Sequence, residues 1–135
     1  MKVYRTKVRR LPGTSYGELI AQARRVYHIE EKRTKRQAYA RSAYFKHDKV
    51  FLNQFWTHLN QKSQVDRKRR LYFYACALDL IRHSRIAPSS KPSPDKRGVT
   101  LHRFAGITQA GELFFVQISE NKKGRKYFMS VFPSE

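Results

Sequence analysis

Apolar positions recur along this 135-residue chain with two periods, a helical one up to about residue 84 and a strand-like one beyond residue 99. Ser15-Tyr16-Gly17-Glu18 matches a capping box, in which a serine oxygen and a glutamate carboxylate satisfy free amides at a helix start. Leu19, Ala23, Val26 and Tyr27 follow on one helical face. The pattern lets that helix run on or restart from Glu30 to Phe45, where Ala38, Ala40, Ala43 and Tyr44 favour helix. Asp48 is positioned to cap a helix over 49–60, striped by Leu52, Phe55, Trp56 and Leu59. Ser63 and Asp66 open a further helix over 64–84, basic in its first turn and apolar in its second half.

Three prolines in 86–98 forbid helix and central strand alike, so this stretch is expected to be a linker or loop. Beyond it the alternation predicts strands at 100–107, 112–120 and 125–132, joined by turns at 108–111 and 121–124. The expected fold is α+β, with basic N-terminal helices packed on a small C-terminal antiparallel sheet. That sheet is a three-strand meander, to which a strand near 1–9 can add a fourth. The organisation is a basic helical region 1–85, the linker 86–98 and the meander 99–135, with 64–84 packed against the meander as one compact domain.

Four-residue turns would pair Ile107 with Glu112 and Glu120 with Arg125. One face would then carry Leu101, Ala105, Ile107, Phe114, Val116, Ile118, Tyr127, Met129 and Val131, with Arg103 among them, and pack on the helices. The other would present His102, Phe104, Phe115, Gln117, Ser119, Lys126, Phe128 and Ser130 to solvent. Those groups suit chemistry on a nucleic acid. A histidine moves protons near neutral pH, a lysine stabilises charge growing on a phosphate, and open phenylalanines stack unpaired bases. A plain solvated sheet face with one chance histidine is the competing account.

Charge sharpens the picture. The chain carries 29 Lys and Arg against 10 Asp and Glu, and residues 1–98 hold a net +17 of the total +19. So large an excess calls for a polyanionic partner. Arg67-Lys68-Arg69-Arg70 and the run holding Arg33, Lys35 and Arg36 are the expected phosphate grips, although charge runs are commonly just solvated helix turns. The one cysteine, Cys76, lies in an apolar run and is expected to be buried and inert, so neither a disulfide nor a cysteine zinc site is expected. The histidines show no metal-binding spacing, no cofactor motif occurs, and no segment suits a signal peptide or a membrane span. A cytoplasmic protein without a cofactor or metal is the expectation. His83, at a helix end, either caps that end or serves as a second proton-transfer group.

Three stretches, Leu101 to Thr108, Gly111 to Ile118 and Lys126 to Phe132, following basic helices, resemble the Barnase–EndoU–colicin–RelE nuclease superfamily, in particular its phage-associated and toxin-like members. The resemblance covers about residues 65–133. It implies metal-independent endoribonuclease activity, in which the 2′-OH attacks the adjacent phosphate and leaves a 2′,3′-cyclic phosphate. It further implies His102 as general base or acid, Arg103 or Lys126 as stabiliser of the phosphorane, Ser130 as holder of a phosphate oxygen, and His83, Lys126 or Tyr127 as the second proton carrier. Phe104, Phe115, Gln117 and Phe128 would then bind the nucleic acid.

Two other classes stay open at this point. One is a non-catalytic RNA- or DNA-binding protein that uses the same basic helices and aromatic sheet face. The other is a basic chain held by an acidic protein, such as an antitoxin or inhibitor.

Overall fold

The computed structural model describes residues 2–134. It is α+β, but its sheet is far larger than the alternation predicts. The elements run β1 (Tyr4–Arg5), α1 (Tyr16–Arg33), β2 (Tyr39–Ser42), β3 (Asp48–Phe51), α2 (Gln54–Asn60), α3 (Gln64–Leu71), α4 (Tyr74–His83), β4 (Ser89–Pro92), β5 (Thr100–Ile107), β6 (Leu113–Glu120) and β7 (Lys126–Pro133). The seven strands form one mixed sheet in the order β1-β5-β6-β7-β3-β2, with β4 also pairing with β5. Strands therefore enter from both halves of the chain. The expectation of N-terminal helices on a small C-terminal sheet is overturned.

The corrections have local causes. Helix α1 begins at the Ser15–Glu18 capping box, as its sequence predicts, and ends where Thr34 turns to an extended conformation. Beyond it, burial alternates: Ala38, Ala40 and Ser42 face in, while Arg41 faces out. Alanine is used there because α4 packs close, and the Ala43 amide donates to Ile81 O at 3.1 Å. Tertiary packing overrides the helix propensity of these alanines. Asp48 and Lys49 likewise belong to β3, with Val50 fully buried, so the expected 49–60 helix starts only at Gln54. The 64–84 helix is broken at Tyr72–Phe73, where the Tyr72 carbonyl accepts from the Leu11 amide instead of continuing the helical ladder. The proline-rich stretch forms the edge strand β4, ending at Pro92, a place where a missing amide is tolerated.

The core lies between the inner sheet face and the helices. Phe55 stacks on Phe128 with centroids 4.9 Å apart, Phe73 stacks on Phe114, and Leu80 of α4 lies over Gly106. Cys76 is wholly buried, and that burial pushes its thiol pKa up to about 11. No helix among the described residues is long and apolar enough to cross a membrane.

Candidate nucleic-acid interface

Both hairpins of the meander use three-residue loops. Asn121 pairs with Arg125 and Thr108 with Glu112, while Gly124 and Gly111 take the left-handed conformation that closes such a loop. Each loop is one residue shorter than the four-residue turns expected from sequence, so each register slips by one. His102 now lies opposite Ile118 and Phe104 opposite Val116, on the inner face. In β7 the start of the strand faces in, with Lys126 opposite Glu120 and Phe128 opposite Ile118. A bulge at Met129 then resets the alternation, so Ser130 faces out beside Gln117 while Val131 faces in.

The expected trio is therefore divided between two faces. His102 and Lys126 are inside and Ser130 is outside. Phe104 and Phe128, expected to stack on bases, are 3% and 0% exposed and belong to the core. Arg103, expected to face the core, is exposed on the open face.

Inside, a polar row crosses five strands. Ser90 Oγ lies 2.7 Å from His102 Nδ1, and His102 Nε2 lies 2.8 Å from Glu120 Oε1. A carboxylate only accepts, so Nε2 carries the hydrogen there and a neutral ring accepts the Ser90 hydroxyl at Nδ1. Lys126 Nζ continues the row, 3.8 Å from Glu120 and 2.7 Å from Asp48 Oδ2. That hydrogen bond from Lys126 is the main reason the Asp48 carboxyl sits below its usual pKa. The β2–β3 turn folds Phe45 over the row, its ring centroid 5.0 Å from that of His102 and 4.9 Å from Lys126 Nζ. With both ring nitrogens engaged and 9% exposure, His102 is a strand-to-strand clamp.

The open face gathers a different set. Arg103, Gln117 and Ser130 are register partners across β5, β6 and β7. Arg70 of α3 donates to Ser130 Oγ and to Asp66, and its guanidinium stands 5.6 Å from the Phe132 ring centroid. Arg103 stands over the same ring at 5.2 Å and over Phe115 at 6.0 Å. Two cations, a hydroxyl and an amide thus surround a pair of aromatic rings.

His58 of α2 joins them, lining a narrow cleft with Lys62, Arg70, Met129 and Ser130. Burial, reinforced by Lys96 and Lys62, holds its imidazole below the usual histidine pKa of 6.5. Sequence pattern alone did not select His58 or Phe132. The helical spacing of His58 carries no motif, whereas Phe132 shares the parity of Ser130, so alternation of the last strand was a signal that could have placed it on the open face.

The remaining predicted residues lie elsewhere. His83 pairs with Asp79 one turn back, at 3.7 Å. Arg67 donates to Asn60 O and Lys62 O, closing the end of α2, while Arg69 pairs with Asp66 at 3.6 Å. Lys68 follows on the same helix, α3. Arg33, Lys35 and Arg36 line a groove beside β2 and β3. Among the described residues no three of His, Cys, Asp and Glu cluster as a metal site would need. Comparison with family profiles, curated proteins and solved structures finds no match.

Proposed function

We propose that this chain is a metal-independent endoribonuclease that binds single-stranded RNA on its open sheet face and cleaves it by 2′-OH transphosphorylation. The observation that carries the reading is the in-register row Arg103–Gln117–Ser130, with Arg70 hydrogen-bonded to Ser130 and His58 beside it. A phosphorane needs fixed positive charge and oriented donors, and this row offers two guanidiniums, an amide and a hydroxyl. His58, kept neutral by its surroundings, takes the 2′-OH proton. The 2′-oxygen then bonds to phosphorus, the bond to the 5′-oxygen breaks, and that oxygen takes a proton from solvent water while the proton held by His58 returns to solvent. The products are a 2′,3′-cyclic phosphate and a 5′-hydroxyl. Phe115 and Phe132 supply stacking surfaces for the flanking bases.

The base role moves from His102 to His58 because His102 has no free ring nitrogen and little exposure. The site lies where cellular RNA is found if the chain is cytoplasmic, and an acidic inhibitor would mask it by matching its charge.

A second reading, RNA binding without cleavage, is favoured by the abundance of rings and cations over proton-transfer groups on this face. Labelled RNA incubated with the purified protein in EDTA separates the two. Fragments ending in cyclic phosphate are expected. Intact RNA that co-elutes with the protein would leave the binding reading and remove the enzymatic one.

A further inference from the structure

We infer that a second groove, formed where α1 leads into β2, is a subsite for the sugar-phosphate strand and bases of single-stranded RNA, extending the open-face site. The inference rests on that face binding RNA and adds where the flanking nucleotides go.

The groove has a volume of about 700 Å³, within the size range of ligand clefts. Five cations line it: Arg33 at the end of α1, Lys35 and Arg36 just beyond, Lys49 on β3, and Arg125 before β7. None of its lining residues is acidic. Its floor is aromatic. Tyr39 and Phe51 are directly opposed on β2 and β3, with ring centroids 6.2 Å apart at 72°. Lys49 Nζ stands 4.8 Å from the Tyr39 centroid, and the Arg125 guanidinium 4.8 Å from that of Phe51.

Cations alone would suit any polyanion. Cations standing on rings suit single-stranded nucleic acid, because bases stack on aromatic faces and guanidinium planes while phosphates meet the charges. Fixed rings at the groove floor would be wasted on a bare anion.

Continuity is the second argument. Phe51 is the register partner of Tyr127 on β7, with centroids 5.9 Å apart. Tyr127 in turn lines an adjoining cleft that reaches Gln117, Met129 and His58. One path therefore runs from the Arg103–Gln117–Ser130 row, past Tyr127, to Phe51 and Tyr39. A strand held at the row can follow that cleft to Tyr127 and from there the rings of Phe51 and Tyr39.

The test uses the full chain and a fluorescently labelled 2′-O-methyl oligouridylate, which cannot undergo transphosphorylation, in anisotropy titrations over a range of salt. Phe51→Leu should weaken binding about tenfold through lost stacking. Lys49→Ala and Arg125→Ala should each weaken it several-fold and lower the salt slope by about 0.7. Arg9→Ala, which removes an exposed charge beside the turn after β5, should change affinity less than about twofold, as expected of a charge outside the track. Thermal melts check folding. Should Phe51→Leu melt early, the two exposed cation variants decide the matter. Groove variants that bind no worse than Arg9→Ala overturn the inference, even if the wild type cleaves RNA. Weakened binding in the variants, with a wild type that cuts no RNA, removes the nuclease reading and leaves this subsite standing.

Discussion

His102 and Glu120 meet on the inner face of the sheet, Nε2 to Oε1 at 2.8 Å, with Ser90 on the other ring nitrogen. Truncating the imidazole leaves a half-buried carboxylate and Lys126 to rearrange. His102→Ala should therefore cost about 1–3 kcal/mol of stability. Urea denaturation measures it. Cleavage per folded molecule should survive. A variant of wild-type stability that had lost all cleavage would return the catalytic role to this histidine.

Arg103 is exposed and joins no acidic side chain through a hydrogen bond among the described residues, so its removal should leave the melting temperature nearly unchanged. Arg103→Ala should nonetheless slow cleavage about 10²–10³-fold, the usual loss for a donor that meets transition-state charge. Arg70→Ala should lose as much and also some stability, because Arg70 ties Asp66 to Ser130. Steady-state kinetics on a labelled oligoribonucleotide tests both, and rates within threefold or so of wild type would exclude them from the reaction.

His58 sets the acid side of the pH profile. Its depressed pKa keeps the ring neutral, so the acid limb of kcat/KM should fall below pH 6.5. The same shift acts on folding. The unfolded chain protonates first as pH falls through 6.5, so the neutral ring favours the fold above that value and ceases to do so as pH drops through the lower, folded pKa. His58→Ala should abolish the acid limb together with most activity. An unchanged profile in the variant would assign the base elsewhere.

Tyr74 is wholly buried and its hydroxyl meets no hydrogen-bond partner among the described residues. An unmade hydrogen bond in the core is a cost, so Tyr74→Phe should be neutral or stabilise the fold by up to about 1 kcal/mol. The ring contacts with Phe55, Trp56 and Phe128 are retained. Destabilisation in thermal or urea unfolding would mean that the hydroxyl is satisfied after all.

Much of the C-terminal third is legible from alternation alone. The strands found at Thr100–Ile107, Leu113–Glu120 and Lys126–Pro133 each begin and end within one residue of the expected bounds. The facing of β6, Ser130 and Val131 falls as the alternation expects, but that of β5 and of the start of β7 was not legible, because it hinges on turn length. Two loops closed by left-handed glycines shift both pairings together, so agreement between the hairpins could not expose the error. Helix starts at Ser15 and Ser63 were visible because capping is local chemistry. Strands β2 and β3 were not, because Ala38, Ala40 and Val50 are set by contacts with α4 and β7 that lie far away in sequence. Of the candidate site, Arg103, Gln117, Ser130, Phe115 and Arg70 do gather on one face, while His58 needed the packing of α2 beside β7 to be seen.

Met129 governs how the end of β7 faces. As the supernumerary residue of β7, it makes Ser130 and Phe132 outward-facing and Val131 inward-facing. Point changes there would alter only one side chain. Removing Met129 would instead leave Phe128 in, Ser130 out and Val131 in by plain alternation, whereas one further residue inserted after Ser130 would turn the end of the strand inside out, so this strand should absorb a loss at that position better than a gain.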